Sequence, residues 1–113
     1  MSLNLALGMK GENLAADYLT ERGYELMAKN YRASRGEIDL IVYKDQILVF
    51  VEVKLRNGSS FGFPEDFVNT AKQEKVIQTA EFYIEEIDWQ HDIRFDIVAV
   101  SGNKIEHFID AFS

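Results

Sequence analysis

The sequence predicts an α/β protein, a mixed β-sheet of about five strands flanked by helices in the order αβββαββ. Three observations carry this. Two segments, Gly8 to Arg22 and the stretch from Thr70, repeat apolar and small residues at helical spacing. The stretches between and after them are apolar, β-branched runs divided by turn residues. Runs such as Ile47 to Val51 are apolar at every position, so both of their faces need cover, which helices on each side of a sheet supply.

In the first helix Leu14, Ala15, Tyr18 and Leu19 form the apolar stripe, and Gly23 is a plausible stop. Tyr24 to Tyr31 mixes apolar and polar residues, as an edge strand does, and Gly36 is expected to break the chain. Glu37–Tyr43 and Gln46–Lys54 then read as two antiparallel strands joined by a tight turn at Lys44-Asp45. Arg56 to Asp66 contains Asn57, Gly58, Ser59, Ser60, Gly62 and the only proline, Pro64, the composition of a loop. Thr70 and Gln73 have capping-box spacing at the start of the second helix, and Val76, Ile77, Ala80, Tyr83, Ile84 and Ile87 mark its apolar face. Ile93–Val100 is a further strand, turned by Ser101-Gly102-Asn103 into a short last one at Lys104–Ile109.

The 113 residues fit a single domain, 1–113, with 47% hydrophobic residues to fill its core. No apolar run approaches the length of a membrane span, and the first ten residues lack the pattern of a secretion signal, so a cytoplasmic protein with no membrane partner is expected. With no cysteine, any metal must be held by oxygen or imidazole. A net charge of −7 argues against a general nucleic-acid coat. The charge is unevenly spread: Ala28 to Arg56 holds six basic and four acidic residues, Glu81 to Ser113 two basic and eight acidic.

The charges that interrupt the apolar runs are the informative ones. Alternation places Leu48, Phe50, Glu52 and Lys54 on one face of their strand, and Glu37, Asp39 and Ile41 on one face of its partner. A turn at Lys44-Asp45 pairs Tyr43 with Gln46, Asp39 with Phe50 and Glu37 with Glu52. Asp39 is then diagonal to Glu52, about 7–8 Å away at the backbone and within reach of a shared ion. Glu12 lies on the helical stripe of Ala15, Ala16 and Leu19 and should point inward, with Gly8 and Gly11 allowing close approach to the sheet. Carboxylates so gathered repel by roughly 4 kcal/mol per pair at contact distance. Lys54 offers one compensating charge, and a divalent cation would neutralise Glu12, Asp39 and Glu52 together. All-oxygen ligands favour Mg2+ or Mn2+ over zinc. Singly, each residue has an ordinary explanation as an ion pair, a turn cap or a helix-dipole partner. The four together are harder to explain that way.

Lys72 and Gln73, at the start of the second helix, are in reach of such a site, although capping and solvation account for them as well. Asp96 reads as a paired buried carboxylate, His91 and His107 as structural histidines, and Trp89 as a packing residue in a loop.

Gly11-Glu12, Asn30-Tyr31-Arg32, Gly36 through Ile41, Phe50 through Arg56, Phe61-Gly62-Phe63-Pro64, Lys72-Gln73 and Arg94 through Val98 resemble the YraN family of bacterial proteins over nearly the whole chain. Asp39, Glu52-Val53-Lys54 and Glu12 also resemble the signature of the PD-(D/E)XK nucleases, with Ile38 where that signature has proline. The resemblance implies a restriction-endonuclease-like core, similar to archaeal Holliday-junction resolvases, and a metal-dependent endonuclease acting on DNA, with branched or structured substrates among the options. It implies Mg2+ (or Mn2+) on Asp39 and Glu52, Glu12 completing the shell, Lys54 acting on water or transition-state charge, and Glu37 and Gln73 as accessories. Arg32, Arg35, Arg56 and Lys72 would grip backbone phosphates. The alternatives are a non-catalytic nucleic-acid-binding module of the same fold, or a protein-interaction domain. A homodimer and a protein partner both stay open.

Overall fold

The computed structural model describes residues 3–56 and 70–113, with side chains from Lys10 onward. Most of the expected Arg56–Asp66 loop, including Phe61 to Pro64, lies outside the described residues. The architecture is the expected one: α1 (Leu3–Glu21), β1 (Glu25–Ala33), β2 (Gly36–Lys44), β3 (Ile47–Leu55), α2 (Thr70–Glu86), β4 (Asp92–Ser101) and β5 (Lys104–Phe112). The five strands form one sheet in sequence order. Only β3 and β4 are parallel, because α2 crosses between them, and every other pair is antiparallel.

Helix α1 starts five residues before the expected Gly8, since Leu3 to Leu7 is rich in leucine and alanine, the strongest helix formers. It ends as expected. Gly23 is left-handed (φ 93°), Tyr24 N donates to Leu19 O at 3.1 Å and Gly23 N to Thr20 O at 3.1 Å, which together make a Schellman cap. Asp88 (φ 54°) closes α2 in the same way, with Trp89 N donating to Ile84 O at 2.9 Å.

The helices cover opposite faces. Ala15, Ala16 and Leu19 of α1 pack on Leu40, Val42, Val49, Val51, Val98 and Val100. On the other side Val76, Ala80 and Tyr83 of α2 pack on Ile41, Leu48, Phe50, Phe95 and Ile97. Apolar burial on both sides explains why the central strands carry unbroken apolar runs.

Two expectations about the hairpins need correction. Gly36 does not break the chain: β1 continues to Ala33, Ser34 and Arg35 make the turn with φ of 49° and 65°, and Gly36 opens β2. Its lack of a side chain serves packing. A Cβ there would stand 1.9 Å from Thr79 Oγ1, which is buried in α2 and donates to Lys75 O at 2.8 Å. Gly36→Ala should push α2 off β2 and destabilise the protein by about 1–3 kcal/mol in urea unfolding; an unchanged midpoint would show that α2 yields freely.

The β2–β3 turn is Asp45-Gln46, with φ of 53° and 65°, and not Lys44-Asp45. Lys44 therefore pairs with Ile47 and Leu40 with Val51, two residues away from the expected register, so Asp39 is not opposite Phe50, nor Glu37 opposite Glu52. An even shift preserves which face each side chain takes. Continued by one step, the observed register sets Asp39 directly against Glu52.

Candidate active site

Regular alternation fails at the residue where the chemistry was expected. Leu40 packs with the α1 side of the sheet, yet Ile38, two residues earlier, packs with the α2 side. Across the β1–β2 pair, Lys29 opposes Leu40 and Tyr31 opposes Ile38, and between them Asn30 is left-handed (φ 53°). Asparagine tolerates that conformation better than most residues. Both strands change face here, so Glu37, Asp39 and Ile41 do not share one as alternation would have it. The Asp39 carboxylate turns toward β3 instead, where Oδ2 accepts a hydrogen bond from Val53 N at 2.8 Å. A side chain stands in for the next rung of the ladder.

Glu52 is buried, with its side chain 8% exposed, on the α2 side of β3. Its Oε1 receives two ammonium groups, Lys54 Nζ at 3.3 Å and Lys72 Nζ at 2.8 Å. Lys54 follows two residues along the same strand and Lys72 comes from the first turn of α2. Arg35, Gly36, Glu37, Asp39, Glu52, Lys72, Lys75 and Val76 line a cleft of about 290 Å³ between β2, β3 and α2.

Glu12 reaches this group from the α1 side. With its amide nitrogen oriented as the surrounding acceptors require, Asn30 donates to Glu12 Oε1 at 2.7 Å and to Glu37 Oε1 at 3.1 Å, tying the two carboxylates together. Lys29, beside it, donates to Asn13 Oδ1 of α1.

The electrostatics show one coupled group. Burial, then the Glu52 charge, then Glu12 and Glu37 push the Asp39 carboxyl up to about 7, although the bond from Val53 N opposes this. Burial and Glu37 also raise Glu12, against the amide of Asn30. Lys54 is held below its usual range by burial and by the neighbouring Lys72. For Lys72 burial acts downward, but its bonds to Glu52 and Lys54 outweigh it and the ammonium is stabilised. A carboxyl pushed up this far is what burial among other acids produces when positive charge within reach is insufficient.

Of the other candidates, Arg35 is on the cleft wall, and Arg32, 77% exposed at its side chain, lies 3.7 Å from Glu37 at the rim. Gln73 follows Lys72 in α2 and is half-buried. Arg56 is elsewhere: it lines a separate hollow of about 160 Å³ on the α1 side with Lys10, Gly11, Leu14, Leu55, Val100 and Gly102. Its backbone N donates to Val100 O at 2.8 Å, which continues the sheet and carries the residue past the cleft.

Asp96, His91, His107 and Trp89 take structural places. Asp96 is fully buried and accepts from Arg94 Nε and Nη2, both at 2.8 Å, and from Asp110 N at 2.9 Å, with His107 Nε2 at 2.7 Å. Burial alone would raise this carboxyl, but His107, Arg94 and the Asp110 amide together lower it. Trp89 packs against the α2-side core, donates to Asp92 O at 2.9 Å, and meets His91 edge-on.

Residues 11–100 match the family described as "Uncharacterised protein family UPF0102". A UPF0102 protein of Thermodesulfovibrio yellowstonii is 43% identical over 108 residues, covering 96% of each chain. One from Rhodococcus opacus is 44% identical over 99% of this chain and all of its own, and one from Cytophaga hutchinsonii is 43% identical over 91% of this chain and 92% of its own. No helix among the described residues is long and apolar enough to cross a membrane.

Proposed function

The chain belongs to the UPF0102 family, and from that premise we propose that its cleft hydrolyses phosphodiester bonds in nucleic acid, DNA before RNA, with the help of Mg2+ or Mn2+. The observation that carries this is the meeting of Asp39 and Glu52 across the end of the β2–β3 pair, with Lys54 at 3.3 Å from Glu52. Side chains with opposed demands are held in one polar cleft when the alternative, apolar packing, would be more stable.

The donors suit a hydrated magnesium-like ion. Among the described residues no three His, Asp or Glu side chains stand close enough to enclose a metal, as a zinc site would require. Mg2+ keeps several waters and takes one or two carboxylates, which Asp39 and Glu52 provide, with Glu12 close enough to join through water. Such an ion, when bound, supplies positive charge to the attacking and leaving oxygens of an in-line displacement.

This chain's residues do the rest. Lys54, half-buried and held 3.3 Å from Glu52, orients the water or steadies the charge that grows on phosphorus-bound oxygen. Asn30 keeps Glu12 and Glu37 from drifting apart despite their repulsion. Arg35 and Lys75, on the cleft wall, are placed to meet backbone phosphates, which gives position without base specificity. The chain's net charge of −7 adds no long-range attraction for phosphate, so affinity has to come from the cleft.

Lys54→Ala should leave nucleic-acid affinity within a few fold while lowering the cleavage rate by roughly 100-fold or more, with the fold checked by circular dichroism. A parallel fall in affinity and in salt dependence would instead make Lys54 a phosphate anchor. The direct test is cleavage of single-stranded, duplex, flap and four-way DNA, and of RNA, with each metal. Binding without cleavage throughout would replace the enzyme by a non-catalytic nucleic-acid-binding module of the same fold.

A further inference from the structure

Lys54 and Lys72 approach the same oxygen of Glu52 but are not equivalent. Lys54 is 19% exposed at its side chain, and its backbone pairs with Ala99 of β4, the pairing with β2 having ended at Val51. Lys72 is 44% exposed, stands in the first turn of α2 and lines the cleft. A cation shared between Asp39 and Glu52 would bind a carboxylate whose Oε1 both ammonium groups contact, and like charges at that spacing repel by several kcal/mol at an effective dielectric near 20. One lysine has to leave. Lys54 is the more enclosed of the two, whereas Lys72, on the exposed first turn of α2, can turn its side chain toward solvent.

We infer that Lys72 is a displaceable counter-ion, which neutralises Glu52 until a divalent cation takes its place and then turns to the mouth of the cleft to hold a substrate phosphate. The inference rests on the metal reading above and deepens it. Before metal arrives, Lys72 and Glu52 satisfy each other; afterwards the same ammonium is available where Arg35 and Lys75 already line the wall. Metal and phosphate then assist each other, and by linkage the assistance is reciprocal.

The test is Mn2+ titration by calorimetry of the wild type, Lys72→Gln and Lys75→Gln, followed by binding of a short oligothymidylate with and without Ca2+. Lys72→Gln should bind Mn2+ roughly two- to fivefold more tightly than the wild type, the scale of one partly exposed ion pair no longer competing. Lys75→Gln removes an equal charge from the same cleft and should shift Mn2+ affinity much less. Ca2+ should strengthen oligothymidylate binding by the wild type, and Lys72→Gln should lose most of that gain. Unchanged or weaker Mn2+ binding in Lys72→Gln, equal tightening in Lys75→Gln, or an undiminished Ca2+ effect would each overturn the inference while leaving the metal site standing. Failure of all three proteins to bind Mn2+ would overturn the metal reading as well.

Discussion

Asp39→Asn should melt higher than the wild type at pH 8 in buffer stripped of divalent cations, and millimolar Mn2+ should close most of that gap by raising the wild type and not the variant. The first half follows from the carboxyl being raised from 3.8 to about 7 in the folded protein. At low pH the group is protonated whether the chain is folded or not, and contributes nothing to the balance. Between about 4 and 7 the unfolded chain releases its proton while the folded one keeps it, so stability falls as pH rises through that window and the full cost persists above it. Asparagine has no proton to release and keeps an oxygen to accept from Val53 N. Its advantage should therefore be small at pH 4, grow toward pH 7 and level off, at a few kcal/mol, or on the order of 5–10 °C. The second half follows because Mn2+ stabilises only the protein that binds it, by about 2.7 kcal/mol at a hundred times its dissociation constant. Equal Mn2+ shifts in both proteins would place the ion elsewhere, and a pH-independent difference would show that Asp39 is not the strained acid.

The second large effect lies on the other side of the sheet. Asp96→Ala should cost about 3–5 kcal/mol, a large share of the 5–15 kcal/mol typical of a whole domain. Asp96 is fully buried, and its removal leaves the Arg94 guanidinium, the His107 ring and the Asp110 amide without their acceptor. Arg94 Nη2 also donates to Tyr24 OH at 2.8 Å, so the loss would reach from β4 to the start of β1. Urea unfolding measures it. A change below about 1 kcal/mol would mean that water replaces the carboxylate without penalty. Because this network faces α1, the α2-side cleft should be disturbed only through global unfolding.

The legible parts of the fold were those written in composition and period. Apolar runs on both faces of β3 demanded cover from two helices, and Gly23 marked a cap that only a left-handed residue makes easily. The β2–β3 turn was misplaced because Lys44-Asp45 has the better turn chemistry, while nothing in the identity of Gln46 announces a φ of 65°. The error was even, so face assignment survived from Leu40 to Phe50. The face change at Asn30 and Asp39 was not legible, since alternation assumes a regular strand; a residue tolerant of left-handed backbone, within a strand and opposite an acid, was the available signal. Asn30 was consequently missed as a site residue. Arg56 is a phosphate-gripping candidate by its charge, but β3 ends at Leu55 and periodicity says nothing of the residue beyond it, whose neighbours are those of the α1 side.

The hairpins also decide where the cleft can give. Two-residue turns, Ser34-Arg35 and Asp45-Gln46, join β1, β2 and β3 into a continuous meander, with little slack between the strands that bear Asn30, Asp39 and Glu52. That wall behaves as an anvil. The opposite wall is the first turn of α2, which rests on the sheet mainly through Val76, Thr79, Ala80 and Tyr83, further along the helix. A cleft that widened would do so by a hinge motion of one helix end against a stiff plate, about the close packing of Gly36 on Thr79.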